Sequence, residues 1–288
     1  MQQSAVTMFL IAKNKVIKSG SFCSLLVLVF LLNVSYGMAQ SLNFSDTRGA
    51  EIEVLADNGI EWQQDKLLFI ARGNARATRG EMTVYADELR AYYREKTDGG
   101  SEVWRLDALG NVRIKSVAET AYGDKAVFDV DNSILILTGN GVRLETPTDK
   151  IYADRQLEYW DLKKMAVARG NAVAVQGNKK LNADVLAAYF RPNKKRENKV
   201  YKIDAFENVK VTTANDTATG DRGVYNVESG VATLTGDVKL KRGQNVLKGC
   251  RAVVNLNSNV SKLFNCAASG VNRVQGVLIP QKKTKKAQ

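Results

Sequence analysis

The chain of 288 residues is 44% apolar and 25% charged, which is enough for one or two globular units with a hydrophobic core. Its formal net charge of +12 favours an anionic partner, such as nucleic acid, a phosphorylated lipid or an acidic glycan. Histidine is absent, and this excludes Ser-His-Asp and Cys-His nucleophiles together with most zinc sites.

The N-terminus has the pattern of an export signal. Three lysines precede an apolar run at 22–32, and Gly37 and Ala39 supply the small residues that signal peptidase requires. This pattern predicts a signal peptide over residues 1–39, cleaved between Ala39 and Gln40. The alternative is a membrane anchor, although a spanning helix needs about 20 apolar residues and this run is shorter.

A short motif recurs six times after the signal. Its clearest copy is Gly110-Asn111-Val112-Arg113-Ile114, followed 13 residues after Gly110 by Gly123-Asp124. The six copies begin at Gly73, Gly110, Gly139, Gly170, Glu207 and Gly236. Their second halves begin at Ala86, Gly123, Ala153, Ala183, Gly220 and Gly249. A repeat this regular indicates an architecture built from stacked units.

The motif copies are themselves periodic. The starts at 73 and 170, at 110 and 207, and at 139 and 236 are each 97 residues apart. After a polar lead at 40–53, this period predicts two tandem units at 54–150 and 151–247. A C-terminal hairpin at 248–279 and a basic tail at 280–288 follow them.

Each copy of the motif is typical of β-strands. Val112 and Ile114 alternate with Arg113, which gives one apolar and one polar face, and turn residues such as Asp131-Asn132 separate the runs. A single hairpin is too small to hide its apolar face. The sequence therefore predicts an all-β fold of repeated antiparallel hairpins, stacked into a tube or an open, solenoid-like trough.

The motif's second half ends in aspartate in five of the six copies. These aspartates are Asp87, Asp124, Asp154, Asp184 and Asp221. A catalytic carboxylate is needed in one place beside a partner with a different pKa, whereas a carboxylate in every repeat favours a structural role. We expect their oxygens to accept N–H groups of the turn that follows the small residue, and we predict no catalytic site.

Two cysteines remain after removal of the signal, and they favour a disulfide. Cys250 and Cys266 lie eight residues either side of Ser258, so a hairpin turning there would bring them together in an oxidising compartment. The alternative is a pair of small buried thiols. Neither cysteine belongs to a spacing that predicts a metal site.

The interior of the stacked hairpins is the remaining candidate site. Two alternatives stand at this point: side chains fill the interior, or it is a channel for acyl chains, in which each buried methylene contributes about 0.8 kcal/mol. The candidate lining residues are Phe69, Trp104, Leu106, Val112, Ile114, Phe128, Leu135, Phe190, Ile203, Val209, Val211, Tyr225 and Leu240.

The repeat resembles the OstA-like family of the lipopolysaccharide transport system. The best matches are Gly110-Asn111-Val112-Arg113-Ile114 with Gly123-Asp124, and 234–240, and the resemblance covers roughly 52–256. It implies an antiparallel β-jellyroll, open along one side, whose groove carries the acyl chains of lipopolysaccharide. The cleavable signal favours the family's periplasmic bridge over its inner-membrane-anchored member. The two tandem units and the C-terminal cysteine hairpin go beyond what the motif predicts.

The resemblance also implies partners. These are lipopolysaccharide, LptC-like inner-membrane proteins, LptD-like outer-membrane proteins, and further copies of the chain docked end to end through edge strands. It implies neither a cofactor nor catalysis. The export signal argues against nucleic acid, although the charge would suit it. One alternative is a structural scaffold of the cell envelope with a filled core; a polysaccharide-acting β-solenoid enzyme ranks last, because no unique carboxylate cluster is found.

Overall fold

The structure, a computed structural model, describes residues 52–97, 99–193, 198–255, 257–258, 260–266 and 273–277. The predicted signal peptide, nearly all of the lead and the basic tail lie outside these residues. Within them, no helix is long and apolar enough to cross a bilayer.

The described residues form eighteen β-strands and a short 3-10 helix at Gln64–Lys66. In chain order the strands are β1 (Glu53–Leu55), β2 (Ile60–Gln63), β3 (Leu68–Arg79), β4 (Met82–Glu95), β5 (Ser101–Lys115), β6 (Thr120–Asp129), β7 (Ile134–Thr138), β8 (Val142–Glu145), β9 (Asp149–Ala153), β10 (Gln156–Trp160), β11 (Met165–Gln176), β12 (Lys179–Pro192), β13 (Asn198–Thr212), β14 (Asp216–Asn226), β15 (Val231–Arg242), β16 (Asn245–Asn255), β17 (Val260–Phe264) and β18 (Gln275–Val277). The predicted all-β class is confirmed.

All strand pairings are antiparallel and make two layers. Ten long strands, β3–β6 and β11–β16, run through both. In the first layer β2, β7, β10 and β17 complete the order β2-β3-β4-β5-β6-β7-β10-β11-β12-β13-β14-β15-β16-β17. In the second layer β1, β8, β9 and β18 take the corresponding places. Each layer is thus fourteen strands long, or about 60 Å at roughly 4.8 Å per strand.

The repeated motif forms the crease between the layers. The ladder of each long strand is interrupted there, for example between Leu109 and Val112 of β5. Gly110 and Asn111 both have positive φ, of 75° and 48°, and Gly170 and Asn171 repeat this with 86° and 43°. Glycine and asparagine are the residues that adopt this conformation at least cost. The six copies therefore fold the strands along one line.

The repeated aspartates hold the crease in place. Asn111 Nδ2 donates to Asp87 Oδ2 at 2.9 Å, and in the third copy the backbone N–H of Asn140 donates to Asp124 at 2.8 Å. The equivalent pairs are Asn74–Asp57, Asn171–Asp154, Asn208–Asp184 and Asp237–Asp221. The carboxylates are structural, as predicted, but the predicted donor was wrong. The N–H group that each aspartate accepts comes from the motif copy on another strand, which lies beside the aspartate in the sheet.

Replacing Gly110 by alanine is expected to destabilise the protein by about 2 kcal/mol more than replacing Gly141. Both residues have nearly the same φ, 75° and 76°, so both substitutions pay the same backbone strain of about 1–2 kcal/mol. Only at Gly110 would the new Cβ meet a neighbour, 2.8 Å from the carboxyl carbon of Asp87; at Gly141 it meets nothing within 4 Å. Urea unfolding of the two variants measures the difference. Equal losses would show that the crease is not closely packed.

Candidate functional site

One continuous row of apolar side chains crosses the first layer. Each member is the direct cross-strand partner of the next, so all lie on the same face. This first inner row consists of Trp62, Phe69, Ala91, Leu106, Phe128, Leu135, Tyr159, Ala166, Ala188, Ile203, Tyr225, Ala232, Val254 and Ser261. Thirteen of its fourteen members are apolar or aromatic, which a strand face turned to water would not show.

A matching row crosses the second layer. This second inner row consists of Val54, Ala77, Val84, Ile114, Ala121, Leu144, Ile151, Ala174, Leu181, Val211, Ala218, Leu240, Leu247 and Gly276. Phe128 and Leu135 of the first row belong to the same packed cluster as Ile114 and Leu144 of the second. The two rows therefore face each other across the crease.

The space between the rows is closed at the crease and accessible further out. Val112, Val142 and Val209, beside the crease, are at most 1% exposed. Leu106, in the first inner row, is 36% exposed although it faces inward. The alanines of that row leave room between its aromatic and branched members. The layers thus form a trough whose floor is packed, while solvent reaches part of the first-layer wall.

Twelve of the thirteen predicted lining residues lie on this inner face. Nine belong to the two inner rows: Phe69, Leu106, Phe128, Leu135, Ile203, Tyr225, Ile114, Val211 and Leu240. Val112 and Val209 lie at the floor, and Phe190 packs edge-on to Tyr159, with ring centroids 6.4 Å apart. Their contact with a ligand stays a prediction.

Trp104 was wrongly predicted to line the interior. Its ring is 6.1 Å from that of Tyr92, which the guanidinium of Arg105 covers on the outward face. The ladder shifts register between Tyr92 and Tyr93, leaving Trp104 without a direct partner. An extra residue in a strand reverses the alternation of its faces. Counting alternate residues along the sequence therefore fails at this position.

Tyr159 is an inner-row residue that the sequence analysis missed. It is 6% exposed and directly opposite Leu135. Its counterpart 97 residues earlier, Trp62, lies in the same row and was missed as well, so the available signal was a bulky aromatic residue at the same position of both units. Trp62 itself stacks on Tyr93 at 6.4 Å, as Tyr159 packs on Phe190.

The free edge of the second layer is polar, in contrast to the inner rows. Two residues beyond the second inner row, Gln176 donates to Asp149 at 2.8 Å and Arg242 binds Asp216 with both Nε and Nη2. Glu119 is buried at this edge, two residues before the inward-facing Ala121. Burial raises the pKa of Glu119 to about 7. The trough therefore has one polar lip and one apolar wall.

No metal-binding cluster is found in the part of the chain that the structure describes. Among the residues that the structure describes, no three Asp, Glu or Cys side chains are placed to hold a metal ion. The carboxylates of the crease are engaged by its amide groups, and Asp216 is engaged by Arg242. The inner rows offer an apolar surface to a ligand.

The two ends of the trough expose apolar side chains. At one end lie the edge strands β1 and β2, where Leu55, Ile60 and Trp62 are 45%, 50% and 65% exposed. At the other lie β17 and β18, where Val260 and Val277 are 48% and 50% exposed. Within the described residues these four strands pair on one side only. Such edges are ready to accept another strand.

The C-terminal hairpin is bridged. Cys250 and Cys266 form a disulfide with Cα atoms 5.0 Å apart. The sequence predicted that the two cysteines lie directly opposite each other, with the turn centred on Ser258. Because Arg251 pairs with Phe264, Cys266 is instead one residue beyond the position opposite Cys250, and the bridge runs diagonally across the hairpin. Closing a loop of this length stabilises a fold by about 3 kcal/mol in chain-entropy terms.

Comparison with known proteins identifies the family. The model of the lipopolysaccharide transport proteins LptA and LptD N-terminal domain matches this chain twice, at residues 53–156 and 150–260. An uncharacterized protein of Rhizobium meliloti (strain 1021) is 27% identical over 130 residues, which are 44% of this chain and 68% of that protein. The crystal structure of LptH, the LptA-homologous periplasmic component of the lipopolysaccharide transport device of Pseudomonas aeruginosa, is 13% identical, covers 81% of this chain and 99% of its own, and has a TM-score of 0.21. The two matches to the family model together span most of the chain, which therefore belongs to the LptA/LptD N-terminal domain family of lipopolysaccharide transport proteins.

Proposed function

We propose that this protein is a periplasmic bridge that carries lipopolysaccharide from the inner to the outer membrane in the trough between its layers. The observation that carries the proposal is the pair of inner rows, which run opposite each other along all fourteen strands of each layer. Family membership supplies the substrate class. Export by cleavage between Ala39 and Gln40 is part of the same proposal.

The trough suits acyl chains by its chemistry. Transfer of each methylene from water to an apolar wall contributes about 0.8 kcal/mol, so several acyl chains bind tightly without any polar contact. Aromatic and branched members such as Phe128 and Ile203 alternate with alanines such as Ala188, which leaves an uneven wall suited to flexible chains. The sugar and phosphate groups of lipopolysaccharide would stay on the open side, beside the polar lip.

We further propose that copies dock end to end. Because each layer has an even number of strands, β17 of one copy and β2 of the next run antiparallel, and so do β18 and β1. Leu263 of β17 and Ile60 of β2 are both in the inward-facing row beside the crease, so the apolar wall would continue across the junction. Related domains of LptC-like and LptD-like proteins would use the same edges. Sedimentation velocity should show concentration-dependent species larger than the monomer; a monomer at all concentrations would contradict docking.

Photo-crosslinking tests the lipid site. A photoreactive amino acid at Phe128 or at Ile203 should form adducts with lipopolysaccharide during export, since both face the trough. The matched control is Lys125, which is exposed on the outward face of β6, the same strand as Phe128. Adducts at all three positions, or at none, would contradict a groove and favour a scaffold with a filled core.

A further inference from the structure

The outward face of the second layer carries an ordered set of cations. Arg76, Tyr85, Arg113, Tyr122, Arg143 and Tyr152 are successive cross-strand partners, so arginine and tyrosine alternate across six strands. Farther along the same row lie Lys210, Lys239 and Lys248. The adjacent row, two residues farther from the crease, adds Lys115, Lys150, Lys180 and Lys241. These ten basic residues and three tyrosines define the outer basic stripe.

Among the described residues, nine of the ten cations of the outer basic stripe have no ion-pair partner, and Arg143 is the exception. In its two rows the described strands contain two acids, Glu53 on the edge strand β1 and Glu145, which is 3.4 Å from Arg143. The outward face of the first layer differs, because its basic side chains form ion pairs with neighbouring acidic side chains. The ion pairs there include Arg72–Glu88, Arg105–Asp107, Arg169–Glu158 and Lys202–Asp204. Unpaired like charges held along one stripe create a field that attracts an anion.

The arginines of the stripe are held in position by its tyrosines. The guanidinium of Arg113 lies 4.1 Å from the ring centroid of Tyr85, and that of Arg143 lies 3.9 Å from that of Tyr122. Stacking fixes the plane of the guanidinium, whose N–H groups then present a fork that suits a carboxylate or phosphate. It also covers one face of each of these two rings, which leaves less aromatic surface for stacking on nucleic-acid bases.

The shape of the stripe selects a linear anion over a flat one. The carboxylates of the crease, such as Asp87 and Asp124, border the outer basic stripe on one side. They would repel an anionic membrane that lay across the stripe and the crease together. A sheet also twists by roughly 20° per strand, so a plane could touch only a few strands at once. A flexible chain can follow both the twist and the narrow width. Beside the crease, Tyr85, Arg113, Tyr122 and Arg143 line a depression of about 470 Å³, together with Asp87 and Asp124.

We propose that the outer basic stripe binds a single strand of an acidic polysaccharide. Successive arginines of the row are two strands apart, about 10 Å, which suits one charged group on every second sugar of an extended glycan. This site lies on the outward face and does not depend on what the trough binds. It would place the bridge along an anionic glycan while the trough carries lipid.

Binding of hyaluronan oligosaccharides, which have one carboxylate on every second sugar, tests the proposal in low-salt buffer. The double variant Arg113→Gln/Arg143→Gln is expected to bind at least tenfold more weakly than the wild type. The control Arg72→Gln/Arg90→Gln removes the same charge from the ion-paired outward face of the first layer and should change binding less than twofold. A second variant, Lys150→Gln/Lys180→Gln, alters two exposed lysines of the stripe, and we expect it to weaken binding at least threefold.

Competitors decide the class of partner. Polyglutamate, single-stranded oligonucleotides and phosphatidylglycerol vesicles should each displace hyaluronan poorly, and neutral dextran should not displace it. Equal losses in the stripe and control variants would overturn the proposal, as that outcome would mean binding by net charge alone. Tighter binding of any competitor through the same arginines would overturn it as well.

Discussion

Replacing Leu106 by glutamate is expected to weaken lipopolysaccharide binding at least a hundredfold while the protein stays folded. Leu106 lies in the first inner row between Ala91 and Phe128, and it is 36% exposed. A carboxylate there keeps contact with water in the free protein. An acyl chain lying along the row would remove that water, and burying an unpaired carboxylate costs several kcal/mol. A hundredfold loss of affinity corresponds to only about 3 kcal/mol.

The matched control is Thr233→Glu. Thr233 lies on the outward face of the same layer, opposite Val224 and Val253, so the variant adds the same charge without entering the trough. Equilibrium binding of fluorescently labelled lipopolysaccharide, with thermal unfolding to verify folding, measures both variants. Unchanged affinity for Leu106→Glu, or an equal loss for Thr233→Glu, would show that the lipid does not bind between the layers.

Replacing Glu119 by glutamine is expected to stabilise the protein by about 3 kcal/mol at pH 8 and to leave its stability unchanged at pH 4. Burial raises the pKa of Glu119 from its ordinary value of 4.5 to about 7. The folded protein therefore holds this proton more tightly than the unfolded chain does. The associated stability is complete below pH 4.5, falls as the pH rises, and is lost above pH 7. Glutamine has the same shape, does not ionise, and removes this dependence.

The difference in unfolding free energy between variant and wild type isolates Glu119, because all other titrating groups are common to both. Urea denaturation at several values between pH 4 and pH 8 measures it. The control is Glu145→Gln on the neighbouring strand, whose residue faces outward beside Arg143. As an exposed ion pair, it should contribute less than about 1 kcal/mol at either end of the range. A variant no more stable than the wild type at pH 8 would show that Glu119 is not buried as a neutral acid.

The sequence predicts some features of the crease but not its hydrogen-bond partners. The six motif copies and their 13-residue offset indicate a repeated structural element, and the aspartates have the structural role that their repetition predicts. Their donors could not be found in this way. Asn111 contacts Asp87, which is 24 residues earlier in the chain, because these residues become neighbours only when β4 and β5 pair.

The faces of most lining residues could be predicted from the sequence, but the face of Trp104 could not. Period-two alternation places Phe128, Ile203 and most other predicted lining residues on the correct face, since side-chain direction in a regular strand depends on position alone. The bulge before Arg105 breaks that regularity and turns Trp104 outward. A bulge arises from the pairing of two strands, and the local sequence of β5 has no feature that predicts this one.

The sequence by itself determined the all-β class, the repeat and the family, because these depend on residue type and spacing along one chain. Only the tertiary structure decided which lining residues face each other across the trough and that Glu119 is buried at its lip. It also decided that the basic residues 76, 113 and 143 join in one stripe. Each of these depends on strands far apart in the chain lying side by side, and register across a sheet is fixed by packing and crease geometry rather than by any single segment.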